Sequence, residues 1–266
     1  MTGVREQGTG NRLRKSAIFI PSPEPGVRLE LIVSPPQSDG PYPTVIFNHG
    51  STGRGTSPST FSRSICPSTV QNYFTERGWM VLFPQRRGRG KSEGKYAEGL
   101  ADDGTGYSCE TEIALRGFER AVEDLDAVLA HVKTRNDVDF SRIAVAGTSR
   151  GGILSIAFAG IRSTEFCGAI NFNGGWLGRA CPTHETVNPY IFKMGAAAGM
   201  ATLWLHGSYD QYYRINHCRS NFESYLDAGG KGTFVSIPGG HSLISKPKLW
   251  KSALDSYMEQ AERTTH

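Results

Sequence analysis

The segment Gly147-Thr148-Ser149-Arg150-Gly151-Gly152 constrains the fold more than any other part of the chain. It follows Ile143-Ala144-Val145-Ala146, a short apolar run that reads as a buried strand, and precedes a small-residue stretch that reads as a helix near 151–162. A strand that turns into a helix this abruptly puts the corner residue, Ser149, in an unfavourable backbone conformation. It also brings strand, turn and helix so close that a Cβ at 147 or 151 would collide, and both positions are glycine. The corner lifts the Ser149 hydroxyl above the sheet. The free N–H groups of the new helix then point to where negative charge would develop.

The same alternation runs through the chain. Strand runs are expected at Ala17–Ile20, Arg28–Val33, Thr44–Phe47, Trp79–Phe83, Ile143–Ala146, Gly168–Phe172, Ala201–Leu205 and Thr233–Ile237. Between them Phe118, Ala121, Val122, Leu125, Val128, Leu129 and Val132 recur at helical spacing, which predicts a helix near 112–134 with one apolar face. Further helices are expected near 216–228 and around Leu249–Met258. Strands separated by helices predict an α/β fold, with a mostly parallel central sheet covered by helices on both faces. No linker divides the chain, so a loose tail over residues 1–14 and one domain over 15–266 are expected.

A serine hydroxyl becomes a nucleophile when a base takes its proton and an acid orients that base. On a sheet of this kind the acid and then the base should follow Ser149 in chain order at later strand ends. The strand Ala201–Leu205 runs into His206-Gly207-Ser208-Tyr209-Asp210, and the strand Thr233–Ile237 into Pro238-Gly239-Gly240-His241. Ser149, Asp210 and His241 thus fall in order at the strand-end edge where active sites of open α/β sheets lie. The loop Asn171-Phe172-Asn173-Gly174-Gly175 offers no carboxylate. Two backbone N–H groups are the expected oxyanion donors: that of Arg150, and that of Ser51 in Asn48-His49-Gly50-Ser51, with Gly50 as the fallback. His49 and His206 are expected to be structural. Trp176, Tyr212 and Tyr213 are candidate substrate contacts, weighed evenly against packing roles; the Arg150 side chain is expected to pack rather than to meet substrate.

Together these residues resemble the α/β-hydrolase superfamily over nearly the whole chain from about residue 17. The doubled glycine after Arg150 resembles the dienelactone hydrolase and prolyl-oligopeptidase-like branch. Arg87-Gly88-Arg89-Gly90-Lys91-Ser92 is similar to the R-G-x-G-x-S loop of that branch, and His206-Gly207-Ser208-Tyr209-Asp210 to its H-G-x-x-D acid loop. The chain has serine where dienelactone hydrolases proper have cysteine. The resemblance implies an α/β-hydrolase fold without a large cap domain. It also implies hydrolysis of small carboxylic esters through an acyl-serine, with neither metal nor cofactor. The alternatives are a peptidase or amidase of prolyl-oligopeptidase type, or acyl transfer on the same triad.

The remaining features exclude more than they assign. A net charge of +4 is too small to argue for nucleic acid, and Arg86-Arg87-Gly88-Arg89-Gly90-Lys91-Ser92 fails as a phosphate loop because position 85 is Gln. That basic loop is expected to be solvated, with one arginine bridging its neighbours. The polar stretch Met1–Lys15 precedes no long apolar run, so no membrane association and a cytoplasmic location are expected. The five cysteines contain no C-x-x-C pair and are expected to be free thiols, with Cys66–Cys109 the pairing considered. The stretches Glu93–Glu112 and Leu177–Met200 are expected to overhang a fairly open site that takes a small-molecule substrate.

Overall fold

The computed structural model describes residues 15–264 except 54 and 57, with side chains of the last helix described to residue 261. The tail expected over 1–14 lies outside the described residues. The elements follow as β1 (Ser16–Pro21), β2 (Arg28–Ser34), β3 (Tyr42–Asn48), α1 (Pro58–Phe61), α2 (Ser68–Thr75), β4 (Met80–Pro84), α3 (Thr111–Val132) and β5 (Val138–Thr148). Then come α4 (Arg150–Ile161), β6 (Gly168–Phe172), α5 (His184–Met194), β7 (Ala201–Gly207), α6 (Ile215–Asp227), β8 (Lys231–Ile237) and α7 (Pro247–Thr264).

The eight strands form one sheet in the order β1-β2-β4-β3-β5-β6-β7-β8. Only the β1–β2 and β2–β4 pairings are antiparallel, and every pairing from β4 across to β8 is parallel. Successive strand side chains point to opposite faces, and the core divides accordingly. Met80 and Leu82 of β4 pack in one layer with α3, α4, α5 and α6, and Val81 and Phe83 pack in the other with α2 and α7. The carboxyl ends of all the parallel strands therefore share one edge.

Helix α4 is buried on every side from Arg150 to Gly160, which is why its sequence shows no amphipathic period. Two elements depart from the sequence-based expectation. The stretch 177–200 contains α5, which packs on α4 and α6 although Pro189 lies inside it. Cysteine pairing also differs: Cys109 is bonded to Cys181, while Cys66 and Cys218 are free thiols. The bond ties the start of α3 to the approach to α5, a meeting of two distant segments that spacing does not reveal. Among the described residues no helix is long and apolar enough to cross a membrane.

Candidate active site

Ser149 sits between β5 and α4 with φ 56° and ψ −126°, one of two non-glycine residues described with positive φ. Such a conformation costs on the order of 1–3 kcal/mol and persists only where its surroundings hold it. The Ser149 N–H donates to the Phe172 carbonyl at 2.9 Å, and the Ser149 carbonyl accepts from Gly152 at 2.9 Å and from Gly175 at 3.3 Å. A Cβ on Gly147 would strike the Gly151 carbonyl, and one on Gly151 would strike the Asn48 carbonyl. The two glycines let strand, turn and helix pass this close.

Asp210 follows β7 and His241 follows β8, as their strand-end positions imply. His241 Nδ1 lies 2.8 Å from Asp210 Oδ2; a carboxylate there can only accept, which fixes the proton on Nδ1 and leaves Nε2 as the basic nitrogen. The other carboxylate oxygen, Oδ1, accepts from the N–H groups of Tyr212 at 2.7 Å and Tyr213 at 3.1 Å. The Asp210 side chain is 1% exposed and that of His241 21%, so the carboxylate is enclosed and the imidazole reaches the surface.

The loop after β3 presses on Ser149: a Cβ on Gly50 would lie 3.0 Å from Ser149 Cβ. The His49 carbonyl accepts from both terminal nitrogens of Arg86 at 3.1 Å, and the Gly50 carbonyl accepts from Arg89 at 3.3 Å and His49 Nδ1 at 2.8 Å. In a trans peptide the N–H lies opposite the C=O. Anchoring the Gly50 carbonyl on Arg89 and His49 therefore turns the Ser51 N–H away from them. Arg150 opens α4, where a backbone N–H has no intrahelical acceptor.

The basic loop is not the solvated segment the sequence suggested. Arg86, Arg87 and Arg89 are all buried, and only Lys91 of its four cations is exposed. Arg86 pairs with the buried Glu98, and Arg87 with Asp124. Burial pushes the Glu98 carboxyl up, but Arg86, Arg89 and Arg150 outweigh it and hold the group below its ordinary value. Tyr96 and Tyr107 extend this network to the β3 loop. The Tyr107 hydroxyl accepts from the Thr52 N–H at 3.0 Å and lies 2.7 Å from that of Tyr96, which donates to Glu98 at 3.0 Å.

The candidate substrate contacts separate. Trp176 is a core residue, 1% exposed, with its ring against Phe118 and its Nε1 donating to the Ala114 carbonyl at 2.8 Å. Arg150 is buried beside it, Nε on the Trp176 carbonyl at 2.9 Å and the guanidinium over the Tyr107 ring. Tyr212 is half exposed and sets its ring edge-on to His241 at 4.7 Å, while Tyr213 is buried. His49 and His206 have the structural settings expected: burial holds the His49 ring well below the ordinary histidine range and His206 down to about 3. Two cavities, of 640 and 440 Å³, lie away from these residues, the first between β1 and α3 and the second between α2 and α7. Among the described residues no cluster of three or more His, Cys, Asp or Glu side chains is arranged to hold a metal ion.

Sequence reasoning passed over Asn173 because it searched that loop only for a carboxylate. Asn173 is fully buried and has φ 48°. Its Nδ2 donates to the carbonyls of Gly240 at 3.1 Å and His241 at 2.9 Å, and its Oδ1 accepts from the Gly207 N–H at 2.7 Å. One side chain thus joins the loop that follows β7 and carries Asp210 to the loop that carries His241. An asparagine directly before Gly174-Gly175 was the available signal, since asparagine adopts the left-handed backbone more readily than most residues.

The sheet order, the helices on both faces and the strand-to-helix corner at Ser149 define an α/β-hydrolase fold. A family model for serine aminopeptidases of the S33 type matches residues 66–178. Among solved structures, the chain is similar to Est1E of Butyrivibrio proteoclasticus bound to ferulic acid, with 17% identity and a TM-score of 0.66 over 93% of this chain and 100% of that one. The Pyrococcus furiosus esterase Pf2001 aligns at 16% identity and a TM-score of 0.63, over 95% of this chain and 90% of that one. The acylaminoacyl peptidase of Pyrococcus horikoshii aligns at 17% identity and 0.64, over 94% of this chain but 41% of the peptidase. No curated protein matches the sequence.

Proposed function

We propose that the protein is a serine hydrolase that cleaves small carboxylic esters through an acyl-serine intermediate. The observation that carries the reading is the positive-φ Ser149 at the strand-to-helix corner, on the same sheet edge as a His241 whose Nδ1 is engaged by Asp210. His241 Nε2 takes the Ser149 proton as Oγ attacks the ester carbonyl, and the imidazolium is stabilised by the Asp210 carboxylate. The N–H groups of Ser51 and Arg150 receive the oxyanion. The protonated His241 then gives its proton to the departing alcohol. Water, deprotonated by the same nitrogen, attacks the acyl-serine and restores the free enzyme.

The Pyrococcus furiosus esterase supports esters over amides, since the chain spans 90% of it and 41% of the peptidase. The family match to serine aminopeptidases keeps a peptidase or amidase as the second reading. Hydrolysis of p-nitrophenyl acetate and butyrate, compared with an aminoacyl p-nitroanilide, separates the two, and faster amide turnover would reverse the ranking. A fluorophosphonate probe should label wild type and not Ser149→Ala; equal labelling of both would end the hydrolase reading. The dienelactone hydrolase-like branch and a cytoplasmic location belong to the same proposal, the latter tested by the oxidation state of Cys109 and Cys181.

A further inference from the structure

Three buried guanidiniums, those of Arg86, Arg89 and Arg150, surround one buried carboxylate, Glu98. Two of the three are well partnered. Arg86 is ion-paired with Glu98, and Arg150 donates to the carbonyls of Trp176 and Glu98 with its guanidinium over the Tyr107 ring. Arg89 differs. It is 1% exposed, its Nε has no hydrogen-bond partner, and among the described residues no carboxylate lies within ion-pair distance of it. Its guanidinium lies 5.7 Å from the centre of the Tyr96 ring, and its Nη1 donates to the Gly50 carbonyl at 3.3 Å. A cation buried without a counter-ion costs stability. What its position supplies is a charge beside the loop that touches Ser149.

A Cβ on Gly50 would lie 3.6 Å from Ser149 Oγ, so the Gly50–Ser51 peptide stands next to that hydroxyl. The peptide is trans, which puts the Ser51 N–H opposite the oxygen that Arg89 holds. A cation hydrogen-bonded to a carbonyl draws charge through the amide and makes the N–H across it a stronger donor. His49 Nδ1 shares the same carbonyl, but burial keeps that ring neutral, so the charge comes from Arg89. We propose that Arg89 is a positioning residue for the oxyanion: through the Gly50 carbonyl it fixes and polarises the Ser51 N–H, and its uncompensated charge favours the state in which negative charge forms beside that N–H. The inference rests on the hydrolase reading, with Ser149 as nucleophile and Ser51 as an oxyanion donor. Arg89 neither gives nor takes a proton at any step.

The test uses the full chain as wild type, Arg89→Met, Arg89→Gln and Arg89→Lys. Three quantities are read: kcat and KM on p-nitrophenyl acetate, the Ki of a trifluoromethyl ketone that a serine traps as a tetrahedral oxyanion, and Tm. Loss of a unit charge one peptide away from the oxyanion should lower kcat and raise Ki by the same factor in both neutral variants. At the effective dielectric of a protein that factor is roughly tenfold to a hundredfold. KM should stay near the wild-type value. Tm should hold or rise in Arg89→Met, where an apolar chain replaces a buried unpaired cation. Arg89→Lys keeps the charge and should recover most of the loss. Wild-type kcat and Ki in Arg89→Met overturn the inference, and so does a Lys variant no better than the Gln variant. Should Arg89→Met not fold, the comparison of Lys with Gln decides alone. A wild type that neither hydrolyses the ester nor binds the ketone brings down the hydrolase reading itself. A wild type that does both, beside an unaffected Arg89→Met, brings down this inference alone.

Discussion

Asn173 Nδ2 lies 2.9 Å from the carbonyl oxygen of His241, and the Oδ1 of the same amide lies 2.7 Å from the N–H of Gly207. The side chain therefore sets the distance between the two loops that must place Asp210 against His241. Truncation to alanine would remove this partner from two part-buried carbonyls and from one buried N–H. Asn173→Ala should cost about 2–4 kcal/mol, the penalty of stranding buried polar groups, and should lower kcat more than it raises KM. Urea melts together with steady-state kinetics on p-nitrophenyl acetate check this. Wild-type kcat in a destabilised variant would show that the bridge supports the fold without positioning the base.

Asp210→Asn tests the tautomer argument. An amide can present an N–H to His241 Nδ1, which moves the ring proton to Nε2 and removes the lone pair that should accept from Ser149. The expected loss is about 10³–10⁴-fold in kcat with the fold intact. A loss below tenfold would mean that another group orients the histidine.

The strand-end positions of the candidate triad were far more legible than the residues packed around them. Ser149, Asp210 and His241 are picked out because a nucleophile, an acid and a base would stand at strand ends in a fixed order, and strand ends are visible as breaks in apolar runs. Arg86 and Arg89 gave no such signal. In sequence they are two cations in a glycine-rich loop, and only the folded chain shows them buried beneath the His49 and Gly50 carbonyls. Helix α5 was hidden by Pro189 and a weak apolar period, whereas α4 was legible from its motif although it has no period at all. Trp176 stayed open between substrate contact and packing because a strand-end aromatic can turn either way, and the packing on Phe118 places it in the core.

Glu98 faces the buried guanidiniums of Arg86, Arg89 and Arg150, whose charges outweigh burial and hold its carboxyl below its ordinary value. Glu98→Gln removes the charge and keeps the shape. Breaking a buried ion pair from one side costs about 3–5 kcal/mol, and here the Arg86 that loses its partner also holds the His49 carbonyl. The variant should be destabilised by that order, measured by chemical denaturation. Destabilisation under about 1 kcal/mol would mean that the cluster is hydrated rather than sealed.

Cys109 and Cys181 close a loop of 72 residues, and removal of such a cross-link costs about 4 kcal/mol in the chain-entropy treatment. The bond also clamps a route across the site's rim, since Arg179, two residues before Cys181, donates from its N–H to the Tyr212 carbonyl at 2.9 Å. Cys109→Ser should lower Tm and reproduce the effect of a reductant on wild type. Non-reducing peptide mapping reads the bond directly. Free thiols at both positions in protein isolated without reductant would match a reducing compartment, where such bonds are rare.

The buried histidines set the acid side of the stability profile. Burial holds His206 at about 3, and burial together with the neighbouring His184 holds His217 at about 4. Both are therefore neutral in the fold down to those values, while the same groups in the unfolded chain take up protons below about 6.5. Between those limits the unfolded state binds more protons than the native one, so stability rises with pH and is lost as pH falls. Each such group contributes up to about 1.4 kcal/mol per pH unit within its window. Urea melts at pH 7.5 and 5.0 should show the loss, and His206→Gln should reduce the slope while leaving stability near pH 7.5 less affected. An identical slope in His206→Gln would mean that the imidazole beside Phe234 is already protonated in the native protein.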